Sequence, residues 1–151
     1  MPSVQRSVVI EVAVDQLFEI VEDFPRYPDF IPEMKRVTVL RKSGHSQDVE
    51  FELELELPLG MKKRIRYVLA FTEEKPGTVR WRLISGEYMK GNVGSWTFRS
   101  LGEARTEATY SIELSFGALV PKVVSNFLAE QSLPRMLAQF KQRAEGLAVK
   151  G

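Results

Sequence analysis

One stretch of the chain, VEFELELELPLGMKKRIRYVLAF, alternates apolar and charged residues on both sides of a Pro-Leu-Gly turn. If it folds as a hairpin about Leu59, three pairs of opposite charge share one face: Glu56 with Lys62, Glu54 with Arg64, and Glu52 with Arg66. Phe51 then meets Tyr67 on the other face. Because a shift of one residue would send every side chain to the opposite face, this pattern fixes the register. It predicts two antiparallel strands with one polar and one apolar face.

The same alternation recurs in the rest of the chain and predicts a larger sheet. Further strands are predicted in TVRWRLI, NVGSWTFRS, TEATYSIELSF, VTVLRK and SVVIEVAV, the last of these from Ser7 to Val14. Most are joined by short turns, which favours a meandering antiparallel arrangement of about seven strands. Because each strand has one apolar face, the sheet needs a cover on that side.

A short amphipathic helix is predicted between the first two strands, with Asp15 as its N-cap. Its apolar residues follow the helical spacing i, i+3, i+4, i+7: Leu17, Ile20, Val21 and Phe24. The segment DFPRYPDFIPEM, Asp23 to Met34, then holds three prolines, which leave room for at most one helical turn. We expect this proline- and aromatic-rich segment to cover the mouth of an apolar cavity.

A long C-terminal helix is predicted from Pro121 to about Ala144 and would supply the cover for the sheet. Its apolar residues form two clusters about half a turn apart, and Pro134 follows the switch between them. We expect a bend near residues 131–134, with the second half lying in the concave face of the sheet. The first half would then be free to meet the proline-rich segment. The alternative is that the first half packs against something other than the sheet, and contact with another subunit stays open.

Composition restricts the classes of protein that remain. The chain has 151 residues, a net charge of +1 and no cysteine. This predicts one domain over residues 1–151, without disulfides or thiolate metal sites, and no general attraction to nucleic acid. The start MPSVQRSVVIEV lacks the apolar core of a signal peptide, and no window approaches a membrane span. We therefore expect a cytoplasmic monomer or homodimer.

Three motifs, in order along the chain, resemble one known family: LFEIVEDFPRYPDFIPEM, LISGEYMKGNVGSWTF and MLAQFKQRAEG. They are similar to the START-like (SRPBCC) helix-grip proteins of the polyketide cyclase/dehydrase and coenzyme Q-binding group. The resemblance implies an α+β helix-grip fold, a curved antiparallel sheet wrapped round a long C-terminal helix. It also implies a cavity for lipids, isoprenoid quinones or polyketides. Met34 stands where relatives often carry tryptophan, so the lip of the cavity is expected to differ.

The candidate ligand-binding residues are aromatic side chains on the predicted inner face, with a few polar neighbours. Tyr67, Trp81, Trp96 and Tyr110 are expected to line the cavity. Phe30 is expected as its lid and Met136 as its floor, and Tyr88 and Lys63 as further candidates. Lys63 has the apolar parity of its strand, opposite Leu55, which suggests a cation at the rim. The alternatives are plain core packing for the aromatic residues and a solvated lysine at the end of the sheet.

No catalytic residue, metal ligand or cofactor is predicted. The single histidine, His45, lies in the turn RKSGHSQ, so no Ser-His-Asp set can form in the usual way. The glycines of GEYMKGNVG do not join a strand to a helix as dinucleotide sites require. Acid–base chemistry would depend on Tyr67, Tyr88, Lys63 or Arg66, and so few candidates give little support for an aromatase.

Three functions are therefore considered. The preferred hypothesis is a binding or carrier protein for a hydrophobic small molecule, which leaves transient membrane contact open. The first alternative is a polyketide cyclase. The second is a ribosome-associated interaction module, as some similar proteins are reported to be. The basic run MKKRIRY faces glutamates in the predicted register, so no nucleic acid partner is expected.

Overall fold

The computed structural model describes residues 3–74 and 77–150, which form an α+β fold with a single antiparallel sheet. Within this part the strands are β1 Ser3–Ile10, β2 Met34–Ser43, β3 Ser46–Glu56, β4 Lys62–Glu74, β5 Thr78–Gly86, β6 Met89–Gly102 and β7 Arg105–Phe116. Their order in the sheet is β1-β7-β6-β5-β4-β3-β2. Strands β2 to β7 are each next to the strand that follows in the chain, as the short turns predicted. β1 pairs with β7 and not with β2.

The helices lie after β1 and at the C-terminal side of the sheet. They are α1 Val14–Glu22, a 3-10 helix Phe24–Asp29, α2 Lys122–Phe127, a π-helical turn Leu128–Ser132 and α3 Leu133–Lys150. A further 3-10 turn, Pro58–Gly60, connects β3 to β4. This arrangement confirms the predicted helix-grip class, with short helices after the first strand and a long helix against the sheet.

The β3–β4 hairpin has the register that the charge pattern predicts. Glu56 pairs with Lys62, Glu54 with Arg64, Glu52 with Arg66, Leu55 with Lys63, and Phe51 with Tyr67. The charged pairs share the outer face, where the Arg64 Nε lies 3.2 Å from Glu54 Oε2. The Phe51 and Tyr67 rings stack on the inner face with centroids 5.2 Å apart.

The predicted start of the fold is wrong in two details. β1 spans Ser3–Ile10 and not Ser7 to Val14. It ends at Ile10 because Val12 turns inward and its carbonyl accepts a hydrogen bond from Thr106 Oγ1 at 2.9 Å. Val12 is apolar because it enters the core, and it does not extend the strand. α1 begins at Val14 after Ala13, so Asp15 lies inside the first turn and is not the N-cap. In the first turn its carboxylate still interacts favourably with the positive end of the helix dipole.

The C-terminal helix is interrupted where the two apolar clusters change sides. The π-helical turn Leu128–Ser132 ends two residues before Pro134, and the Leu133 N–H bonds to the Leu128 carbonyl, five residues back. A π turn holds an extra residue, which rotates the following helix relative to the preceding one. The extra residue of this turn therefore accounts for the change of side between the two apolar clusters of the sequence. Val124 of α2 packs against a small apolar cluster formed by Leu55, Ile65 and Leu128.

The main core lies between the sheet, α1, the first 3-10 helix and α3. The largest of its side chains that are less than 2% exposed are Phe24, Phe140, Ile10, Leu17, Val12, Val21, Val49, Val79 and Thr106. A smaller cluster of Leu55, Ile65 and Leu128 lies toward the hairpin turn and α2. The space between the two clusters contains the candidate site.

Candidate ligand-binding site

A cavity of about 120 Å³ lies between the inner face of the sheet and α3. Strands β2–β7 contribute to its walls, together with the first 3-10 helix, the π turn and α3. Most of the lining is aromatic or aliphatic, which is typical of sites for small hydrophobic molecules. For comparison, an apolar cavity of roughly 150 Å³ holds benzene. In this conformation the cavity therefore accommodates about one aromatic ring.

Five of the eight predicted site residues line this cavity: Tyr67, Trp81, Trp96, Tyr110 and Met136. The four aromatic residues come from β4, β5, β6 and β7, so the order of the strands brings together side chains that are far apart in the chain. Trp81 and Trp96 each lie against Tyr110, with ring centroids 5.3 and 4.9 Å away. These rings form one continuous wall. Whether they bind a ligand stays a prediction.

Phe30, Lys63 and Tyr88 do not line the cavity. Phe30 packs edge-on against Phe140 at 5.1 Å, beneath the Arg143 guanidinium, so it closes the core beside α3 and does not form a lid. The Lys63 ammonium lies 4.2 Å from the centre of the Tyr88 ring. Both are exposed, because Lys63 lies near the end of β4 and Tyr88 lies in the turn between β5 and β6. The parity of Lys63 placed it on the inner face, but the cover of the sheet does not reach that far.

Polar side chains also belong to the lining, and away from the opening they include Tyr67, Tyr110 and Asn92. The Trp81 indole N–H donates to Asn92 Oδ1 at 3.0 Å. The Asn92 Nδ2 has only the Met89 sulfur at 3.9 Å, and a thioether is a weak acceptor. Within the described part of the chain, neither tyrosine hydroxyl has a hydrogen-bond partner. Buried tyrosine hydroxyls usually have one, so these groups are available to a ligand.

The tyrosine hydroxyls in the cavity remain protonated at neutral pH. Burial raises the pKa of Tyr67 above its ordinary value, and burial with the nearby Tyr67 raises the pKa of Tyr110. Burial likewise raises the pKa of Tyr27, whose hydroxyl donates to the Val21 carbonyl. Tyr67 and Tyr110 therefore offer neutral hydrogen-bond donors and are poor general bases.

Asn92 is a site residue that the sequence reasoning missed, although a signal was present. It has the same parity as Trp96 and Phe98 in β6, so the alternation that placed those rings inside also places Asn92 there. Gly94, two residues on, explains how the indole reaches it. A Cβ atom at Gly94 would lie 2.7 Å from Trp81 Cε2 and 2.5 Å from the Ser111 carbonyl oxygen. Only glycine at position 94 lets the Trp81 ring approach β6 this closely.

The cavity opens at the end of the sheet that holds the hairpin turn. Its partly exposed lining residues are grouped there: Glu33, Leu53, Met89, Ser132, Leu133 and Met136. Glu33 forms an ion pair with Arg135 of α3, with an N–O distance of 3.5 Å. A second, more polar groove of about 160 Å³ adjoins the opening and shares Glu33, Leu55 and Ser132 with it. The proline-rich segment therefore borders the opening through Glu33, and its Tyr27, Ile31 and Met34 form part of the wall.

Other chemistry has little support among the described residues. They contain no group of three or more His, Cys, Asp or Glu side chains placed to bind a metal ion. His45 is 77% exposed and contacts Glu73 outside the cavity. Among residues 3–74 and 77–150, no helix is both long enough and apolar enough to cross a membrane.

The architecture and the cavity define a START-like helix-grip protein. Residues 10–141 match the model of the family described as polyketide cyclase/dehydrase and lipid transport, and the chain belongs to that family.

Curated relatives match along nearly the whole chain. The sequence is 28% identical over 145 residues to the ribosome association toxin RatA of Pseudomonas aeruginosa, covering 95% of this chain and 96% of that protein. It is 25% identical over 146 residues to RatA of Vibrio cholerae, with 96% of each protein covered.

Solved structures share the fold at low sequence identity. A Thermus thermophilus protein superposes with a TM-score of 0.82 at 16% identity, covering 99% of this chain and 100% of that one. The Zhui aromatase/cyclase of a Streptomyces species has a TM-score of 0.80 at 14% identity, with 95% and 93% covered. A START superfamily protein of Mycobacterium smegmatis has a TM-score of 0.79 at 20% identity, with 96% and 98% covered. At these identities the likeness concerns the fold alone.

Proposed function

We propose that this protein binds a neutral hydrophobic small molecule in the cavity between the sheet and α3. The observation that carries the proposal is an aromatic cavity lined by Tyr67, Tyr110 and Asn92, whose two hydroxyls and amide Nδ2 lack strong hydrogen-bond partners among the described residues. Apolar walls supply affinity through burial, and a few polar groups orient the ligand. The chemistry of the site is therefore that of a binding or carrier protein.

The charge of the lining favours a neutral ligand over an anion. Among the described lining residues, Glu33 is the one that is charged at neutral pH, and it lies at the opening. A fatty-acid carboxylate would lose its hydration without gaining a cation in the cavity, and this is costly. A ketone or quinone oxygen could instead accept hydrogen bonds from the hydroxyls of Tyr67 and Tyr110. Isoprenoid quinones and polyketides thus fit better than free fatty acids.

The size of the cavity implies that a larger ligand enters with movement at the opening. Cavities for drug-sized ligands measure about 300–1,000 Å³, whereas this one measures about 120 Å³. A ring would fill the closed part, and an attached chain would leave between the π turn and β3. α2 has no buried residue, so its displacement would disturb little of the core.

Tryptophan fluorescence offers a direct test, because both tryptophans of the chain, Trp81 and Trp96, line the cavity. A short-chain quinone should quench the emission saturably, and a fatty acid of similar length should compete weakly. Loss of one hydrogen bond on Tyr67→Phe or Tyr110→Phe should weaken quinone binding by about 2- to 10-fold. Tyr88→Phe, outside the cavity, is the matched control. Absence of saturable binding for any neutral quinone, polyketide or lipid analogue contradicts the proposal.

The polyketide-cyclase alternative uses the same cavity and makes a different prediction. It would need an acid–base pair, and of the two tyrosines considered from the sequence, Tyr67 lines the cavity and Tyr88 does not. Purified protein should then turn over a poly-β-ketone substrate, and Tyr67→Phe should abolish turnover without preventing binding. Binding without any turnover favours the carrier function.

Ribosome association is the second candidate, and the RatA relatives are the observation that favours it. Against it, the outward arginines Arg64 and Arg66 of the basic run are matched with Glu54 and Glu52 at 3.2 and 3.5 Å. Co-sedimentation with ribosomal subunits over a range of salt concentrations tests it. A cytoplasmic location stays a prediction in either case.

A further inference from the structure

The end of the molecule where the cavity opens carries large apolar side chains in contact with solvent. We call these residues the rim: Leu59, Met61, Tyr88, Leu119 and Val123. Leu59 is 97% exposed and Leu119 is 94% exposed. Isolated exposed apolar residues need no explanation, but a group of them around a ligand cavity marks an interaction surface.

Several contacts place the rim at one end of the fold. Leu59 and Met61 form the tip of the β3–β4 hairpin. Tyr88 precedes β6, and its carbonyl accepts a hydrogen bond from the Gly117 N–H at 2.9 Å, which ties it to the segment that carries Leu119.

Below the rim lies the smaller apolar cluster. Met89 and Phe116, which follow Tyr88 and precede Gly117, pack against it, as does Val124 beside the rim residue Val123. Its member Leu55 pairs across the hairpin with Lys63, which contacts the Tyr88 ring. Leu55, Met89 and Leu128 also line the cavity, so the rim lies at the same end of the fold as the opening.

Backbone strain is concentrated on the same residues. Leu59 has φ 68° and Tyr88 has φ 65°, and within the described part of the chain they are the non-glycine residues with positive φ. A side chain in this left-handed region is disfavoured by contact of its Cβ with the backbone. Such strain recurs at functional sites. Here it holds an exposed leucine and an exposed tyrosine outward.

The charge around the rim is positive. Its segments carry Lys62, Lys63, Lys90 and Lys122 against Glu56 and Glu87, although the whole chain has a net charge of only +1. All four lysines are exposed, and none lies within ion-pair distance of another described residue; Lys62 is opposite Glu56 in the strand register alone. By contrast, Arg64 and Arg66 on the same hairpin are matched with glutamates. The unpaired cations remain available to an anionic partner.

We infer that the rim docks on an anionic lipid membrane, with its apolar side chains at the level of the headgroups and its lysines against lipid phosphates. Exposed aliphatic tips gain free energy only in an apolar phase, and the lysines complement the negative charge of the surface. A nucleic acid would explain the lysines but not Leu59 or Leu119, which cannot stack on bases as aromatic rings do. On the proposed function, docking would let the ligand pass between bilayer and cavity without crossing water.

Vesicle flotation tests docking in the absence of ligand. The full chain should float with vesicles of phosphatidylcholine and phosphatidylserine, and more weakly with phosphatidylcholine alone. The double variant Leu59→Ser and Leu119→Ser should lower partitioning by roughly tenfold or more, because partitioning scales with buried apolar area. The matched control is Leu101→Ser, also exposed but at the β6–β7 turn away from the opening. It should bind as the wild type does.

A charge variant separates the two contributions. Lys63→Glu with Lys122→Glu should lose the preference for anionic vesicles and retain the weaker binding to neutral ones. Both variants should keep the wild-type tryptophan emission, which reports an intact cavity. Equal flotation of the wild type and the leucine double variant overturns the inference, as does rim-dependent binding to ribosomes with none to vesicles. Vesicle binding by a protein that takes up no ligand contradicts only the proposed function.

Discussion

At the end of the sheet where α1 packs, the side chains of Ile10, Leu17, Val21 and Ala144 are 0% exposed, and the core there is closed. At the hairpin end, the enclosed apolar cluster consists of Leu55, Ile65 and Leu128, whose side chains are 3%, 6% and 8% exposed. These three residues line the cavity near its opening. The same sheet thus has a solid end and an open end. The difference is one of cover, since both ends have inward-facing apolar residues.

The cover at the solid end is held by polar contacts as well as apolar ones. Thr106 donates to the Val12 carbonyl at 2.9 Å, and Lys141 of α3 donates to the Val9 carbonyl at 2.7 Å. At the open end the cover is the short helix α2, which has no buried residue, and the π turn. We conclude that stability is concentrated at one end, which leaves the other free to admit a ligand. Such a division is expected where activity requires flexibility.

The largest expected effect compares the same deletion at the two ends. Leu17→Ala removes a fully enclosed side chain and should lower the free energy of unfolding by about 3–5 kcal/mol. Leu128→Ala should cost about half as much, because one side of Leu128 already faces the cavity and has fewer contacts to lose. Chemical denaturation of both variants measures the difference.

Ligand binding should respond in the opposite order to stability. Leu128→Ala should change quinone affinity, whereas Leu17→Ala should leave it unchanged at temperatures where the variant is folded. Equal costs of unfolding for the two substitutions would mean that the open end is as well packed as the solid end, contrary to the comparison drawn above.

A second prediction concerns the aromatic wall of the cavity, where the Trp81 ring packs on Gly94 of β6. Gly94→Ala would force the Trp81 indole away from β6 and should destabilise the fold by about 1–3 kcal/mol. The Trp81–Asn92 hydrogen bond should be lost, with a shift in tryptophan emission. Gly91→Ala on the same strand is the control, since its Cβ would lie 3.4 Å from Ser115 Cβ, an ordinary contact. If both variants behave alike, the indole does not depend on close approach to β6.

The sheet and its inner face could be predicted from the sequence, because strand parity is a local property. The charge ladder of Glu52, Glu54 and Glu56 specified the hairpin register, and the same parity placed Trp81 and Trp96 inside. Asn92 was equally predictable, but a polar residue in an apolar row was not taken as a signal.

The cover of the sheet was harder to predict, since it depends on distances between elements that periodicity does not contain. Phe30 has the residue type expected in the cavity and Lys63 has the strand parity, yet Phe30 packs on α3 and Lys63 lies beyond the reach of the cover. The change of phase before Pro134 indicated an interruption, but not that a π turn would form it.

Backbone strain at the open end gives a smaller prediction. Leu59→Gly relieves the left-handed conformation and should raise the free energy of unfolding by up to about 1 kcal/mol, less the greater freedom that glycine has in the unfolded chain. Substituting Leu40 with glycine, in the interior of β2, should instead be destabilising. Thermal unfolding distinguishes the two. A loss of stability in Leu59→Gly would mean that the leucine side chain stabilises the hairpin and is not held outward under strain.

The smallest expected effect lies at the solid end, in its polar anchoring. A hydrogen bond from Lys141 lowers the pKa of Glu145, which also accepts from the Glu11 N–H at 2.9 Å. Because the folded-state pKa lies below the ordinary value, the stabilisation is complete above the ordinary pKa and is lost as the pH falls through the lowered one. Glu145→Gln should therefore cost under about 1 kcal/mol at neutral pH, and the difference from wild type should vanish in acid. Glu103→Gln, which removes an exposed carboxylate in the β6–β7 turn, is the control measured over the same pH range. A cost that persists unchanged in acid would mean that α3 is anchored by packing and not by the carboxylate. The difference between the solid end and the open end would then depend on apolar packing alone.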